Sequence, residues 1–229
     1  MTGITGNIYA GLHEFADMAF VLHFLRPHDL FVDVGANVGS YTILASGVVG
    51  CRTVAFEPDP EAAVALERNV ALNRLVERVE TRRAAVGDRD GTIRFSVGLD
   101  TVNHVTAQPD MPSRDVPIQT LDRAVFGAGL IPRLIKIDVE GFEASVLRGA
   151  RAVLAESELI AVQTENRAPE VLEMLKSAGM AEFTYDAFEH RLKAASNAPM
   201  ANALFVRDSS YVTNRVASAT PVRVFDAMI

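Results

Sequence analysis

Apolar residues along this chain follow two periods, one typical of β-strands and one typical of α-helices. Short apolar runs, which fit strands buried on both faces, occur at 30–34, 52–57, 79–83, 134–138 and 159–164. Segments with helical spacing of apolar residues lie between them, at 38–49, 60–72, 141–154 and 168–178. Strands that alternate with helices predict an α/β domain with a mostly parallel sheet and helices on both faces.

The two ends and one internal stretch depart from this alternation. An N-terminal helix over 8–25 is predicted to cap one edge of the sheet. Strands at 182–185 and 203–206 are predicted to pair as an antiparallel hairpin at the C-terminal edge. The segment 98–117 contains three prolines and predicts an irregular binding loop or lid. The tail 208–229 has weak periodicity and is expected to be loosely ordered. No linker or repeat is visible, so all 229 residues are predicted to form a single domain.

The first predicted strand ends in a glycine turn, and the second ends on an acid. The turn has the sequence Asp33-Val-Gly-Ala-Asn-Val-Gly39, and the acid is Glu57. A parallel βαβ unit that binds a nucleotide-type ligand across its carboxyl edge has this pattern. The alternative is a plain strand–turn–helix in which the glycines only permit tight packing.

The side chains of the turn favour S-adenosylmethionine (SAM) over a dinucleotide. Gly35 and Gly39 flank Asn37, so the G-x-G-x-x-G phosphate turn is not reproduced. Asp33 would repel a pyrophosphate but suits an ammonium group, because a charge-assisted hydrogen bond is stronger than a neutral one. Glu57 is placed to accept hydrogen bonds from ribose hydroxyls, a role that nicotinamide and SAM folds share. The predicted SAM-binding residues are therefore Asp33, Gly35, Asn37, Gly39 and Glu57.

A second polar group follows the predicted strands 134–138 and 159–164. Asp138, Glu165 and Asn166 are expected at the same carboxyl edge, where ligands bind in open α/β sheets. Three oxygen ligands suit Mg²⁺, which would orient a substrate hydroxyl and lower its pKa. The alternative is that Asp138 caps the next helix and Glu165 pairs with a nearby cation such as Arg167.

The sequence leaves the catalytic base open among three residues. Lys136 shares a strand face with Asp138, because side chains alternate with period two. It is either the base, with its pKa lowered by burial, or a structural partner of Asp138 or Glu140. His104 and His190 are the other candidates, since the pKa of histidine lies near neutral pH.

Charge and composition exclude several classes of partner. The net charge of −7 argues against a nucleic-acid surface, which needs clustered Lys and Arg. The chain contains no run of about 18 apolar residues, the length needed to span a membrane. Glu14 and Asp17 interrupt the N-terminal apolar stretch, so no secretory signal is predicted. The single cysteine, Cys51, suits a reducing compartment. A cytoplasmic protein is therefore expected.

Five segments together resemble the FkbM family of SAM-dependent methyltransferases, over about residues 8–207. They are Asp33-Val-Gly-Ala-Asn-Val-Gly39, Ala55-Phe-Glu-Pro58, Leu121-Asp122, Ile135-Lys-Ile-Asp-Val-Glu-Gly-Phe-Glu143 and Val146-Leu-Arg-Gly-Ala150. The resemblance implies a Rossmann-like class I methyltransferase fold and O-methylation of sugar or polyketide hydroxyls. It also implies that Asp33 and the turn hold the methionine part of SAM, that Glu57 holds the ribose, and that Asp138 faces the reaction centre beside the cofactor.

A looser likeness is to catechol-type, metal-dependent methyltransferases, which Glu165-Asn166 fits. Those enzymes carry a lysine three residues after the fourth-strand aspartate, whereas this chain has Gly141, so the base is not carried over. The expected function is thus O-methylation of a small hydroxyl acceptor with SAM, with Mg²⁺ assistance left open. A metal-independent N-methyltransferase, a non-catalytic SAM-binding protein and, more distantly, a nicotinamide oxidoreductase are the alternatives. A homodimer is left open.

Overall fold

An eight-stranded sheet forms the centre of the protein in a computed structural model, which describes residues 12–96, 105, 112–195, 202–224 and 226–229. The strands are β1 (Leu30–Val34), β2 (Arg52–Phe56), β3 (Val79–Arg82), β7 (Leu134–Ile137), β8 (Ala161–Thr164), β9 (Ala181–Asp186), β10 (Arg191–Ala194) and β11 (Ala203–Val206). Their order across the sheet is β10-β9-β11-β8-β7-β1-β2-β3.

The sheet is parallel in its centre and antiparallel toward one side, which confirms the predicted fold class. β1 pairs in parallel with β2 and β7, β2 with β3, and β7 with β8. β11 runs antiparallel to both β8 and β9. The two strands predicted as a hairpin therefore do pair, but the edge position is taken by β10, which the sequence did not predict and which pairs antiparallel with β9.

Helices cover both faces of the sheet. One core cluster joins the first and last helices to Phe31 and Leu134, and another joins the helices after β7 and β8 to Val32 and Ile135. None of the helices in the described part of the chain combines the length and apolarity needed to cross a bilayer. The helices are α1 (Phe15–Phe24), α2 (Ser40–Ile43, extended by a π-helical turn Leu44–Val49), α3 (Pro60–Leu72), α4 (Leu121–Ala124, followed by a 3-10 turn Phe126–Ala128), α5 (Glu143–Arg148), α6 (Arg151–Ala155), α7 (Pro169–Ser177) and α8 (Ser209–Ala217).

Helix α1 packs on a face of the sheet and not across its edge as predicted. Phe20 and Phe24 are fully buried and share a core cluster with Phe31 of β1. A helix that is apolar on nearly all sides is stable when other elements surround it. Residues 8–11, the first part of the predicted helix 8–25, lie outside the described residues.

The C-terminal tail was expected to be loosely ordered, and the structure corrects this. It contains α8 and the short pair β12 (Arg223–Val224) and β13 (Ala227–Met228). Asp208 caps α8 by accepting a hydrogen bond from the amide of Tyr211 at 2.8 Å. Arg215 ties α8 to the end of α1 through the carbonyl of Phe24 at 2.6 Å. These contacts depend on partners distant in sequence, so the local pattern did not reveal them.

A small second sheet accounts for part of the segment predicted as irregular. β5 (Gly91–Ser96) pairs antiparallel with β6 (Ser113–Gln119), and β4 (Ala85–Val86) pairs in parallel with β6. Residues 113–117 are thus a strand. Apart from Val105 and Pro112, the rest of 98–117 lies outside the described residues.

The predicted helix over 141–154 is two helices, α5 and α6, that meet at Gly149. A Cβ atom at Gly149 would overlap the carbonyl oxygen of Gly87. The break therefore occurs where the backbone after β4 packs against this helical segment.

Candidate active site

A cavity of about 390 Å³ opens at the carboxyl edge of β1, β2, β7 and β8. Its volume falls within the range of small-molecule sites. The sheet order places the ends of β1 and β2 on one side and the ends of β7 and β8 on the other. The residues that line it and bear on function are Glu14, Asp33, Gly35, Asn37, Tyr41, Glu57, Lys136, Asp138, Glu140 and Glu165.

The glycine turn after β1 is held against both neighbouring strands. Gly35, Asn37 and Gly39 have φ values of 80°, 50° and 95°, all in the left-handed region that favours glycine. The amide of Gly35 donates to the carbonyl of Phe56 at 3.0 Å. A Cβ atom at Gly35 would overlap the carbonyl oxygen of Asp138. The turn is therefore wedged between the ends of β2 and β7.

Glu57 fixes the geometry between the turn and the end of β2. Its two carboxylate oxygens accept hydrogen bonds from the amides of Asn37 at 2.8 Å and Asp59 at 2.7 Å. Burial raises the pKa of Glu57 to about 7, against the two amide hydrogen bonds, which lower it. Each carboxylate oxygen has two acceptor positions, so both retain capacity for ligand hydroxyls. The chemistry of Glu57 thus fits the ribose of SAM.

Asp33 lines the cavity at the end of β1, with only 1% of its surface exposed. Its Oδ2 accepts a hydrogen bond from the hydroxyl of Thr42 at 2.6 Å. Burial raises the pKa of Asp33, while the charge of Lys136, its neighbour in the β1–β7 register, opposes that shift. Asp33 therefore lies in a built polar setting and is not part of the apolar core.

Lys136 is held as an ammonium ion by acidic neighbours. Its Nζ donates to Oδ2 of Asp138 at 2.6 Å and lies 4.4 Å from the ring centroid of Tyr41. Burial lowers the pKa of Lys136, but the carboxylates of Asp138 and Asp33 outweigh burial and raise it overall. An amine that stays protonated cannot accept a proton, so the geometry favours the structural role over the catalytic one.

Three carboxylates from distant parts of the chain meet at the β7–β8 side of the cavity. Oxygens of Glu14, Asp138 and Glu165 lie within 4.8 Å of one another. The hydroxyl of Tyr41 donates a hydrogen bond to Glu14. Burial, followed by the charge of Asp138, raises the pKa of Glu165 to about 7. We call Glu14, Asp138 and Glu165 the carboxylate cluster.

Sequence reasoning missed Glu14. The available signal is the pair Glu14 and Asp17, which interrupts an otherwise apolar N-terminal stretch. Asp17 is itself partly buried, and burial raises its pKa to about 6. Acidic residues at the start of an apolar helix can indicate a functional site, because they face either solvent or a polar cavity.

Asn166 does not join the carboxylate cluster, contrary to the prediction. Its side-chain nitrogen donates to Glu143 at 2.8 Å, and its side-chain oxygen accepts from the amide of Ala168 at 2.7 Å. The residue thus forms the turn into α7, a local role that asparagine often takes. The structure brings Asp138 and Glu165 together and leaves Asn166 outside.

The structure does not contain the two alternative roles, Asp138 as a helix cap and Glu165 as an ion-pair partner of Arg167. Arg167 donates to Glu182 at 2.9 Å. The residue at the start of α5 is Phe142, and no side-chain cap is present there. Asp138 therefore does not cap that helix.

The candidate histidine bases fall in different places. His104 lies outside the described residues and stays a prediction. His190 stacks on His23 with ring centroids 4.0 Å apart, and its Nδ1 lies 3.2 Å from the carbonyl of Val216. It is not among the residues that line the cavity. Cys51 is buried, which raises its thiol pKa to about 12, as expected for a packing residue.

Comparison with known proteins identifies the family. The sequence profile of the Methyltransferase FkbM domain matches residues 33–185, from Asp33 through the carboxylates after β7 and β8. This range is about two thirds of the chain. The chain belongs to the FkbM methyltransferase family. The resemblance drawn from the sequence motifs is thereby confirmed, and FkbM membership implies SAM as the methyl donor.

Two curated relatives of this FkbM-family chain carry the names of specific methyltransferases. The 31-O-demethyl-FK506 methyltransferase FkbM of Streptomyces tacrolimicus is 34% identical over 47% of this chain and 42% of its own length. The hexuronic acid methyltransferase AglP of Haloferax volcanii is 26% identical over 59% of this chain and 55% of its own length. The matches thus span about half the length of these curated relatives.

A solved structure has the same fold as this chain. The crystal structure of a candidate rRNA methylase from Clostridium thermocellum superposes with a TM-score of 0.50 at 10% identity. The superposition covers 83% of this chain and 92% of that protein. At this identity the likeness concerns the Rossmann-like fold alone.

Proposed function

We propose that this chain is a SAM-dependent O-methyltransferase acting on a hydroxyl of a small acceptor of the sugar or polyketide type. The observation that carries the proposal is the meeting of Asp138 and Glu165 beyond the ends of β7 and β8, inside the cavity. Methyl transfer to a hydroxyl requires a group that takes the hydroxyl proton, and a positioned carboxylate can do so. The names of the two relatives, which refer to 31-O-demethyl-FK506 and to hexuronic acid, support oxygen-bearing acceptors.

The β1–β2 side of the cavity is assigned to the donor. Asp33 would bind the ammonium group of SAM, the turn from Gly35 to Gly39 would bind its amino-acid part, and Glu57 would bind the ribose hydroxyls. When bound, SAM supplies a methyl group activated by a positively charged sulfur. The protein contributes proximity and alignment, which are large effects for a direct displacement.

The β7–β8 side is assigned to the acceptor, with Glu165 as the base. Lys136 holds one oxygen of Asp138, so the Asp138 carboxylate is fixed in place and partly neutralised. Glu165 has a pKa near 7, which suits proton acceptance near neutral pH. Burial and then the charge of Asp138 raise that pKa, and the ammonium of Lys136, which bonds Asp138, opposes the shift.

Of the three predicted Mg²⁺ ligands, Asp138 and Glu165 meet with Glu14, and Asn166 does not join them. Lys136 occupies one oxygen of Asp138, and Asn166 is directed at Glu143. We therefore derive no step through a metal and expect turnover to survive EDTA. Loss of turnover that Mg²⁺ restores would instead place a cation among the carboxylate cluster.

Release of S-adenosylhomocysteine from SAM tests the proposal, measured against sugar and polyketide alcohols as acceptors. We expect Glu165→Gln to lower kcat by about 100-fold, the usual scale of a general base, with SAM affinity unchanged. Asp33→Asn should lower SAM affinity by about tenfold or more, because a hydrogen bond to a charged group is lost. Asp115→Asn, on the exposed face of β6, is the matched control for both.

The outcomes separate the alternatives. Failure to bind SAM in calorimetry, or preference for NAD, removes the methyltransferase proposal. Binding without turnover on any acceptor would favour a non-catalytic SAM-binding protein. Turnover on amines alone would favour N-methylation.

A further inference from the structure

The acceptor side of the cavity gathers negative charge from three separate elements. Glu14 precedes α1, Asp138 follows β7, and Glu165 follows β8, with carboxylate oxygens within 4.8 Å of one another. Like charges at this distance repel, and the repulsion grows when water is excluded. Burial is the main reason that the pKa of Glu165 is raised, and the charges of Asp138 and Glu14 add to it.

The one described lysine at this side of the cavity is already engaged by carboxylates. Among the described residues that line the cavity, Lys136 is the one lysine or arginine. It is 3% exposed and lies between Asp138 and Asp33. Glu14 accepts its hydrogen bond from the neutral hydroxyl of Tyr41. Among the described residues, no lysine or arginine is hydrogen-bonded to Glu14 or Glu165, and Lys136 acts on both only through space. His13 also lines the cavity beside Glu14. The carboxylates of Glu14 and Glu165 therefore face the space where the acceptor would lie.

We propose that the acceptor carries a protonated amine next to the hydroxyl that is methylated, as in a vicinal amino alcohol of an amino sugar. Glu14 binds the ammonium group, while Glu165 faces the hydroxyl. The short separation of the two carboxylates requires that the two acceptor groups be neighbours. The proposal rests on the O-methyltransferase function proposed above and adds the chemical class of its acceptor.

Glu14 is the specificity-determining residue in this arrangement. It lies before residue 33, where the match to the family profile begins, so it is not part of the matched domain. Tyr41, at the start of α2, holds the Glu14 carboxylate through a hydrogen bond from its hydroxyl. A residue that comes from outside the shared domain and points into the cavity is placed to select the acceptor without altering the donor side.

Calorimetry with three sugars, in the presence of S-adenosylhomocysteine, tests the proposal. The probes are D-glucosamine, N-acetyl-D-glucosamine and D-glucuronic acid, which differ in charge on one scaffold. We expect glucosamine to bind at least about tenfold more tightly than its N-acetyl form, the scale of a charge-assisted hydrogen bond. Glucuronic acid should bind most weakly. Equal or weaker binding of glucosamine, including no binding of any probe, overturns the proposal.

Glu14→Gln tests the assigned residue, since glutamine keeps the acceptor for Tyr41 but removes the charge. We expect it to abolish the preference for glucosamine and to leave S-adenosylhomocysteine affinity unchanged. Glu77→Gln, an exposed residue just before β3 and so at the opposite edge of the sheet, is the matched control and should keep the preference. A preference that survives Glu14→Gln assigns the amine elsewhere and overturns the role of Glu14.

Failure here and failure of the proposed function are distinguishable. Methyl transfer to neutral alcohols with no preference for amines would leave O-methylation standing and remove only the amino-alcohol acceptor. Absence of SAM binding would remove both. Binding of Mg²⁺ alone to the wild type, lost in Glu14→Gln, would show that a metal is the missing cation and would also overturn the proposal.

Discussion

Lys136 is the described lysine that neutralises the carboxylates of Asp138 and Asp33 at the site. Its ammonium is enclosed by Asp138, Asp33 and the ring of Tyr41, with almost no contact with solvent. Breaking a buried ion pair on one side leaves an uncompensated charge in a poorly hydrated setting. The stability of the carboxyl edge therefore depends on this amine even though it does not take part in proton transfer.

Replacement of Lys136 by methionine should destabilise the protein by about 3–5 kcal/mol, the scale for removing one partner of a buried pair. The free energy of unfolding in urea measures it. Lys193→Met removes a half-exposed pair with Asp186 and should cost no more than about 1 kcal/mol. Equal effects of the two substitutions would contradict the buried role of Lys136.

His23 should give the stability of the protein a pH dependence in the acid range. Burial, followed by the charge of His190, lowers the pKa of His23 to about 4, from 6.5. Between these values the unfolded chain binds a proton that the folded chain does not, so stability falls as pH falls from 6.5 to 4. The contribution is at most about 1.4 kcal/mol per pH unit.

His23→Phe should remove that slope, and urea unfolding at several pH values compares it with the wild type. The loss of the 2.6 Å contact between His23 and Tyr185 lowers stability at every pH, so the slope and not the level is the readout. The acids Glu57 and Glu165 have raised pKa values and act in the opposite direction in both proteins. An unchanged slope would mean that His23 is not the group that titrates.

At the scale of elements, the β1–α2 turn is a connection whose backbone cannot accept a side chain at its first glycine, Gly35. Gly35 combines φ of 80° with contact against the backbone of Asp138. Gly129 has a similar φ of 72° but open space around it. The two positions separate the effect of conformation from the effect of close packing.

Gly35→Ala should lower the free energy of unfolding by more than about 3 kcal/mol. The added methyl group would clash with the backbone of Asp138, and neither the turn nor the loop after β7 can move without disturbing its own hydrogen bonds. Gly129→Ala should cost about 1 kcal/mol, the conformational term alone. Thermal unfolding and SAM calorimetry on both variants measure the difference. Similar costs would show that the turn relaxes and that close packing is not what demands glycine.

The elements that could be predicted are those with local signals. α3 begins and ends where the sequence predicts, because Asp59 accepts from the amides of Glu61 and Ala62 and Pro60 fits the first turn. β6 and β10 were not predicted, since both are half-exposed strands rich in charged residues. Their pairing partners, and not their own composition, make them strands.

The candidate site shows the same division. Asp138 and Glu165 could be placed together, because the ends of adjacent parallel strands meet at one edge. Glu14 could not be placed, because its position depends on how α1 packs on the sheet. Asn166 was misplaced because its competing local bonds to Glu143 and Ala168 are not visible in a sequence pattern.

At the scale of the whole molecule, Arg215 connects the C-terminal segment to the domain. It bonds the carbonyl of Phe24 at 2.6 Å and the hydroxyl of Tyr211 at 2.5 Å, and it pairs with Asp29. Asp29 also meets Arg133 just before β7. The last helix, the first helix and the starts of two central strands thus share one polar junction.

Arg215→Leu should lower the free energy of unfolding by about 2–3 kcal/mol, because Asp29 loses a buried partner. Limited proteolysis should cut the segment after β11 sooner than in the wild type. Arg191→Leu, which breaks an exposed pair with Glu189, should change stability by less than about 1 kcal/mol. Unaltered proteolysis would show that α8 is held by its apolar face alone.

The position of β10 at one side of the sheet bears on how the protein behaves at high concentration. An open strand edge is a template for pairing with another chain, and natural proteins protect it with short strands and charge. β10 is four residues long, and its Arg191 and Lys193 are paired with Glu189 and Asp186. Bringing a second strand against this edge would require these charges to be rearranged. The terminal strand therefore protects the chain from amyloid-type aggregation at this edge.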